Sequence, residues 1–179
     1  MTSTQNGERL IRTILDVEKA ETNRHVVNLE EFDLNILVEN VASDCMSAAA
    51  TKGVHLHVER TPSPAYIISD RQLVTRVCEN LLSNAMKFTP AGKNVWLSLI
   101  DDKETVKMEV KDEGVGIPPE DLPYLYSKYS KISSRPTNGE ASTGLGLFIV
   151  KRLVEEINGK IQCKSTPGKG SVFTVVLNK

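Results

Sequence analysis

Between Val106 and Lys111 apolar and charged residues alternate: Val106, Met108 and Val110 interleave with Lys107, Glu109 and Lys111. A period of two marks a β-strand with one buried face. The strand then runs into Asp112-Glu-Gly-Val-Gly-Ile-Pro118, so Asp112 stands where it stops. Gly114 and Gly116 let the backbone turn tightly and let a flat ligand approach with no Cβ in the way. A carboxylate beside such a gap is an acceptor aimed at a donor, such as an exocyclic amine. The same residues suit an ordinary Asp-Glu-Gly turn between strands. Taken alone, the stretch does not separate the two.

The chain of 179 residues is long enough for one domain with a real core and some extra length. Its hydrophobic content of 40% and charged content of 25% are those of a soluble globular protein. A net charge of -1 gives no electrostatic case for nucleic acid. No apolar run approaches membrane-spanning length, so no membrane contact is expected of this segment. The first seven residues lack a signal-peptide pattern and read as a flexible leader. Cys45, Cys78 and Cys163 are scattered, with no Cys-x-x-Cys pair, which points to buried thiols in a reducing compartment. Met86 and Met108 read as core filling.

Residues 8–23 carry Leu10, Ile11, Ile14, Leu15 and Val17 at helical spacing. That helix either docks on its own domain or is the end of a dimerisation helix. Val26, Val27 and Leu29 predict a short extended piece. Asp33 is placed to cap a helix that ends near Gly53. Val54, Leu56 and Val58 alternate with His55 and His57 in a strand whose histidines read as a solvated face. Tyr66-Ile-Ile68 is a second short strand. His25 follows a charged helix end and reads as surface. Ser69 or Asp70 then caps a further helix, with Gln72 completing a capping box if Ser69 is the cap. Strands over Val95–Ile100 and Thr105–Lys111 follow, then a short helix from Pro118 to about Tyr126. Ile161–Lys164 and Ser171–Leu177 are the last strands, joined by Pro167-Gly-Lys-Gly170, a turn expected to be purely structural.

Two further patterns carry chemistry. In the helix after Asp70, Val74, Val77, Cys78, Leu81, Leu82, Ala85 and Phe88 form the apolar stripe. Asn80, Asn84 and Lys87 follow one another at i+4 and i+3 along one edge of it. Asparagine is a poor helix-interior residue, and half-buried amides need partners. Two amides with a lysine next in line suit a hydrated cation and a phosphate; they equally suit bonds to neighbouring loops. Glu79 is turned away from Asn84 and is no base candidate. Ser127–Thr143 is poor in large apolar residues and long for a loop inside a domain, the profile of a lid or of a disordered segment. Lys128, Lys131 and Arg135 make it positive. It runs into Gly144-Leu-Gly-Leu147 and a helix, a phosphate seat by its free N–H groups and dipole.

In order, then, come an Asn/Asn/Lys helix, an Asp-x-Gly-x-Gly turn, a polar lid and a Gly-x-Gly helix start. With Glu79–Pro90, Asp112–Ile117, Tyr126-Ser-Lys-Tyr129, Gly144–Leu147 and Gly168-Lys-Gly170, residues 30–179 resemble the ATP-binding catalytic domain of sensor histidine kinases. These belong to the GHKL superfamily (Bergerat fold) shared with gyrase and MutL. The resemblance implies an α/β fold, a two-layer sandwich of a mixed, largely antiparallel sheet backed by helices. It implies ATP and Mg2+ as cofactors, with Asn80, Asn84 and Lys87 in catalytic roles. Asn84, supported by Asn80, would hold Mg2+, and Lys87 would reach a phosphate. Asp112 would bind the adenine amino group, with Gly116 beside the ring. Gly144 and Gly146 would form the lid hinge and phosphate seat, and Lys128 or Lys131 would touch the distal phosphates. Gly114, Ile117, Tyr126, Tyr129, Thr143, Leu145, Leu147 and Thr174 would complete the nucleotide pocket.

Two departures from the family matter. Tyr126 and Tyr129 stand where two phenylalanines are usual, a change expected to keep the lid anchor. The family's phosphoacceptor histidine is followed by Glu or Asp, whereas His25, His55 and His57 are followed by Val, Leu and Val. Residues 1–29 therefore look like a leader and the end of a dimerisation-hairpin helix with its linker. The implied activity is transfer of the γ-phosphate to a histidine outside this chain, for relay to a response regulator receiver domain. The implied partners are a histidine-bearing dimerisation domain and, in the full-length protein, a second copy forming a homodimer. The expected location is cytoplasmic, whether or not the parent protein is membrane-anchored. Two alternatives stand beside this reading. A GHL-type ATPase would need a glutamate four residues before the magnesium asparagine, where this chain has Asn80. A non-catalytic nucleotide-binding regulatory module would keep the pocket without transfer.

Overall fold

The computed structural model describes residues 26–130, 133–137 and 144–179. The helix expected over residues 8–23 and His25 lie outside them. Strand β1 (Glu30–Asp33) pairs antiparallel with β3 (Tyr66–Ser69), Phe32 opposite Ile67. Between them lie helix α1 (Leu34–Lys52) and strand β2 (His55–Glu59). Asp33 caps α1 as expected: Asn35 N–H donates to its Oδ1 at 2.9 Å, and Ala65 N–H does so at 3.0 Å. Gly53 closes the helix, its N–H donating to the Ala50 carbonyl. Residues 26–29 join no strand, and Val26 remains 93% exposed. Ser69, opposite Glu30, is the last residue of β3, so residues 26–29 have no strand to pair with.

Asp70 alone caps helix α2 (Arg71–Phe88), accepting from Leu73 N–H at 3.1 Å. Ser69 is spent in the β1–β3 ladder, so the capping box with Gln72 is absent. Val74, Val77, Cys78, Leu81 and Leu82 are fully buried on the inner face of α2. At about 1.5–3 kcal/mol per buried branched side chain, this stripe is a main anchor of the helix layer.

Strands β4 (Asn94–Asp101), β5 (Thr105–Asp112), β6 (Lys160–Thr166) and β7 (Gly170–Asn178) join β2 in a sheet of order β2-β4-β5-β7-β6. Only β2–β4 is parallel. One face is apolar: Val95, Leu97, Val106, Met108, Val110, Val175 and Leu177 lie buried under α1, α2 and helix α3 (Gly146–Glu156). The other face is polar, and there His57 stacks on Trp96 with ring centroids 5.5 Å apart. The helix expected after Pro118 shrinks to a 3-10 turn, Leu122–Tyr124. Pro123 has no N–H to donate to the carbonyl four residues back, and its ring crowds that carbonyl, so a longer helix through it is broken. Among the cysteines Cys78 is buried and Cys45 and Cys163 are partly so, and all three are free thiols. Among the described residues no helix is long and apolar enough to cross a membrane.

Candidate functional site

Asp112 is the last residue of β5 and points to the helix side of the sheet, 5% exposed. Its Oδ1 accepts from Gly114 N–H at 2.8 Å and from Ser171 N–H at 3.2 Å. Both bonds fall on one oxygen, which leaves Oδ2 open to a further donor. Burial pushes the carboxyl up to about 6, against the pull of the two N–H groups. The turn that follows is shaped by close backbone approach. Gly116 has φ +70, and a Cβ on it would lie 2.1 Å from the Thr166 carbonyl oxygen. Ile117 is buried, and its N–H donates to Ser165 Oγ at 2.8 Å. A Cβ on Gly170 would fall 1.9 Å from the Asp112 carbonyl oxygen. The 167–170 turn, expected to be purely structural, therefore braces the Asp112 turn directly. Glu113 has a task too: its Oε2 accepts from Asn94 N–H at 3.0 Å and Asn94 Nδ2 at 2.8 Å, pinning the start of β4. These bonds hold its carboxyl below the usual range.

The amides of α2 meet the start of α3. A Cβ on Gly146 would lie 3.6 Å from both Asn80 Oδ1 and Asn84 Nδ2. Asn80 Nδ2 donates back to the Arg76 carbonyl at 2.9 Å, which leaves its Oδ1 on the open side. Lys87 is half-buried one turn further on. Leu145, which is buried, caps α3 without a side-chain bond. Among the described residues, no side chain caps the first N–H groups of α3. Leu147 packs partly into the core. Gly144 lies against the backbone of Tyr129 and Ser130, where a Cβ would be 3.0 Å from the Ser130 carbonyl oxygen. Among the described residues no three His, Cys, Asp or Glu side chains form a metal cluster. The neutral amide oxygens of Asn80 and Asn84 are donors that would suit a hard, hydrated Mg2+.

The two ends belong to one unit, because the Phe88 carbonyl at the end of α2 accepts from Val115 N–H of the glycine turn at 3.2 Å. The described part of the lid spans the same unit. Ser134 Oγ donates to the Gly116 carbonyl at 2.7 Å, and Thr137 N–H to the Lys87 carbonyl at 3.0 Å. The single Thr137 Oγ1 proton is shared between the Lys87 and Thr89 carbonyls, each 3.1 Å away.

The aromatic pair splits. Tyr126 packs against the core with its hydroxyl buried, which holds the phenol well above its usual range. Tyr129 is 63% exposed at φ 54 and does not serve as a second core anchor. Its ring faces Lys128, whose Nζ lies 5.8 Å from the Tyr129 and Phe148 ring centroids.

Thr174 does not join the cluster. It lies between buried Phe173 and Val175, so it faces the polar side of the sheet, and its Oγ1 donates to Glu109 Oε2 at 3.1 Å. Ser171, three residues earlier, bonds Asp112 instead. Lys131 and Thr143 lie outside the described residues. Ser134, Thr137, Ser171 and Glu113 escaped sequence reasoning. Only the polarity of the lid hinted at the first two.

The chain belongs to the family described as histidine kinase-, DNA gyrase B-, and HSP90-like ATPase, whose profile matches residues 69–179. Within that family its similarity is to the ATP-binding catalytic domains of sensor histidine kinases. It is 35% identical over 173 residues to the sensor protein EvgS of Escherichia coli K12, covering 94% of this chain and 14% of that protein. The full-length ShkA crystal structure in complex with AMPPNP superposes with a TM-score of 0.81 at 25% identity, covering 97% of this chain and 36% of that one. The histidine kinase ThkA in complex with the response regulator protein TrrA gives a TM-score of 0.78 at 23% identity, covering 98% and 49%. The chain thus spans only a small part of the sensor protein it matches.

Proposed function

We propose that residues 30–179 bind Mg-ATP and present its γ-phosphate to a histidine on a separate dimerisation segment, for relay to a response regulator receiver domain. The observation that carries this is the joining of an amine acceptor, Asp112, to a paired-amide and helix-start cluster, Asn80–Asn84–Gly146, through the single helix α2. That spacing suits a base at one end and phosphates at the other. The nucleotide analogue bound to ShkA and the response regulator bound to ThkA support the ligand and the partner. Phosphoryl transfer rests mainly on positioning and charge neutralisation. Asn84 with Asn80 would hold Mg2+, Lys87 and the α3 N-terminus would neutralise phosphate charge, and the lid would exclude water. The acceptor imidazole would come from another segment or chain.

Hydrolysis is disfavoured by Asn80, which stands four residues before Asn84 with its amide turned to the Arg76 carbonyl. No carboxylate occupies that position to activate water. The test supplies γ-labelled Mg-ATP with and without a histidine-bearing dimerisation domain. Label on the histidine is the expected result. Release of free phosphate without the domain would make the chain an ATPase, and nucleotide binding with neither outcome would make it a regulatory module.

A further inference from the structure

Helix α2 carries Asn80, Asn84 and Lys87, and its last turn is held from outside. Carbonyls in a helix's final turn have no intrahelical partner. Here Thr89 closes on the Ala85 carbonyl, and Val115 N–H reaches that of Phe88. The Met86 and Lys87 carbonyls accept from Lys52 Nζ at 2.7 and 2.8 Å. Lys52 belongs to the last turn of a different helix, α1. Thr137 of the lid shares the Lys87 carbonyl with it. One helix end is therefore the meeting point of α1, the glycine turn and the lid. A full positive charge there opposes the negative end of the α2 dipole. It does so beside the lysine that the proposed function directs at a phosphate.

We infer that Lys52 is a positioning residue for the nucleotide. It fixes the carbonyls of Met86 and Lys87, and through them the direction of Lys87 and the seat of Thr137. This rests on the ATP-binding reading above. Lys52 lies on none of the motifs that define the site, and its role shows only in the contact between helices.

Calorimetry of Mg-ATP binding to the whole chain tests it, paired with amide hydrogen exchange. Lys52→Met is expected to weaken Mg-ATP binding about fivefold to tenfold, the scale of lost charge-assisted bonds at a helix end. Exchange should quicken at Thr89 and Thr137, while the Gly114 and Ser171 amides keep their protection. Lys52→Arg should restore most of the affinity. Lys52→Gln, which keeps a donor without the charge, serves if Lys52→Met does not fold. Unchanged Mg-ATP affinity in a folded, charge-free variant would overturn the inference. So would exchange rising evenly across the chain with no rescue by arginine, the mark of a merely structural residue. Asn84→Ala is the control for the reading beneath it. If that variant binds Mg-ATP as tightly as the parent, the site assignment fails. If only the Lys52 variants do, the assignment stands and the positioning role fails.

Discussion

Asp112→Asn should make the unliganded protein more stable and nucleotide binding weaker, two effects of opposite sign from one atom. The native carboxyl is buried, and its pKa is raised from 3.8 to about 6, the net of burial against the bonds from Gly114 and Ser171. Between those values the native state binds the proton more tightly than the unfolded chain does. Stability contributed by this group is therefore full below about pH 4 and lost as pH rises through about 6. A shift of this size corresponds to roughly 2–3 kcal/mol at neutral pH. Asparagine carries no charge to desolvate, and its Oδ1 can still accept from Gly114 and Ser171. Thermal melts of parent and variant should coincide near pH 4. They should separate above pH 6, with the variant higher by roughly 4–12 °C for a domain of this size. In place of Oδ2 the variant presents an N–H2 to the base amine. Calorimetry should then show ATP bound about 10–100-fold more weakly. A variant that melts below the parent at pH 7.5 would refute the burial reasoning, and unchanged ATP affinity would refute the role given to Oδ2.

Three further outcomes follow from the geometry. Gly170→Ala places a Cβ 1.9 Å from the Asp112 carbonyl oxygen at φ +96 and should destabilise by about 1–3 kcal/mol in urea unfolding; an unchanged midpoint would mean that the turns are not in contact. Asp70→Ala removes the acceptor for Leu73 N–H and Asn28 N–H and should cost about 1–2 kcal/mol in the same assay. Thr174→Val should leave Mg-ATP affinity as it is, because the side chain faces the polar side of the sheet on Glu109; a large loss in titration would return Thr174 to the site.

Much of this molecule is local in origin and therefore legible in the chain itself. The Asp33 cap, the Gly53 stop, the apolar stripe of α2 and the alternation of β5 each depend on residues within a turn or two, or on a period of two. So do the pairing of Asn80 with Asn84 on one helix edge and the position of Asp112 at a strand end. The outward face of Thr174 is likewise written in the alternation of Phe173, Val175 and Leu177. Tertiary structure decided what crosses the chain. Ser171 and Gly170 close on Asp112 from the neighbouring strand, Ser134 and Thr137 fasten the lid to Gly116 and Lys87, and Lys52 grips the end of α2. Nothing periodic marks these residues. Hydrogen bonds between segments far apart in sequence depend on how helices and strands come to lie together, and that is set by burial of the shared core.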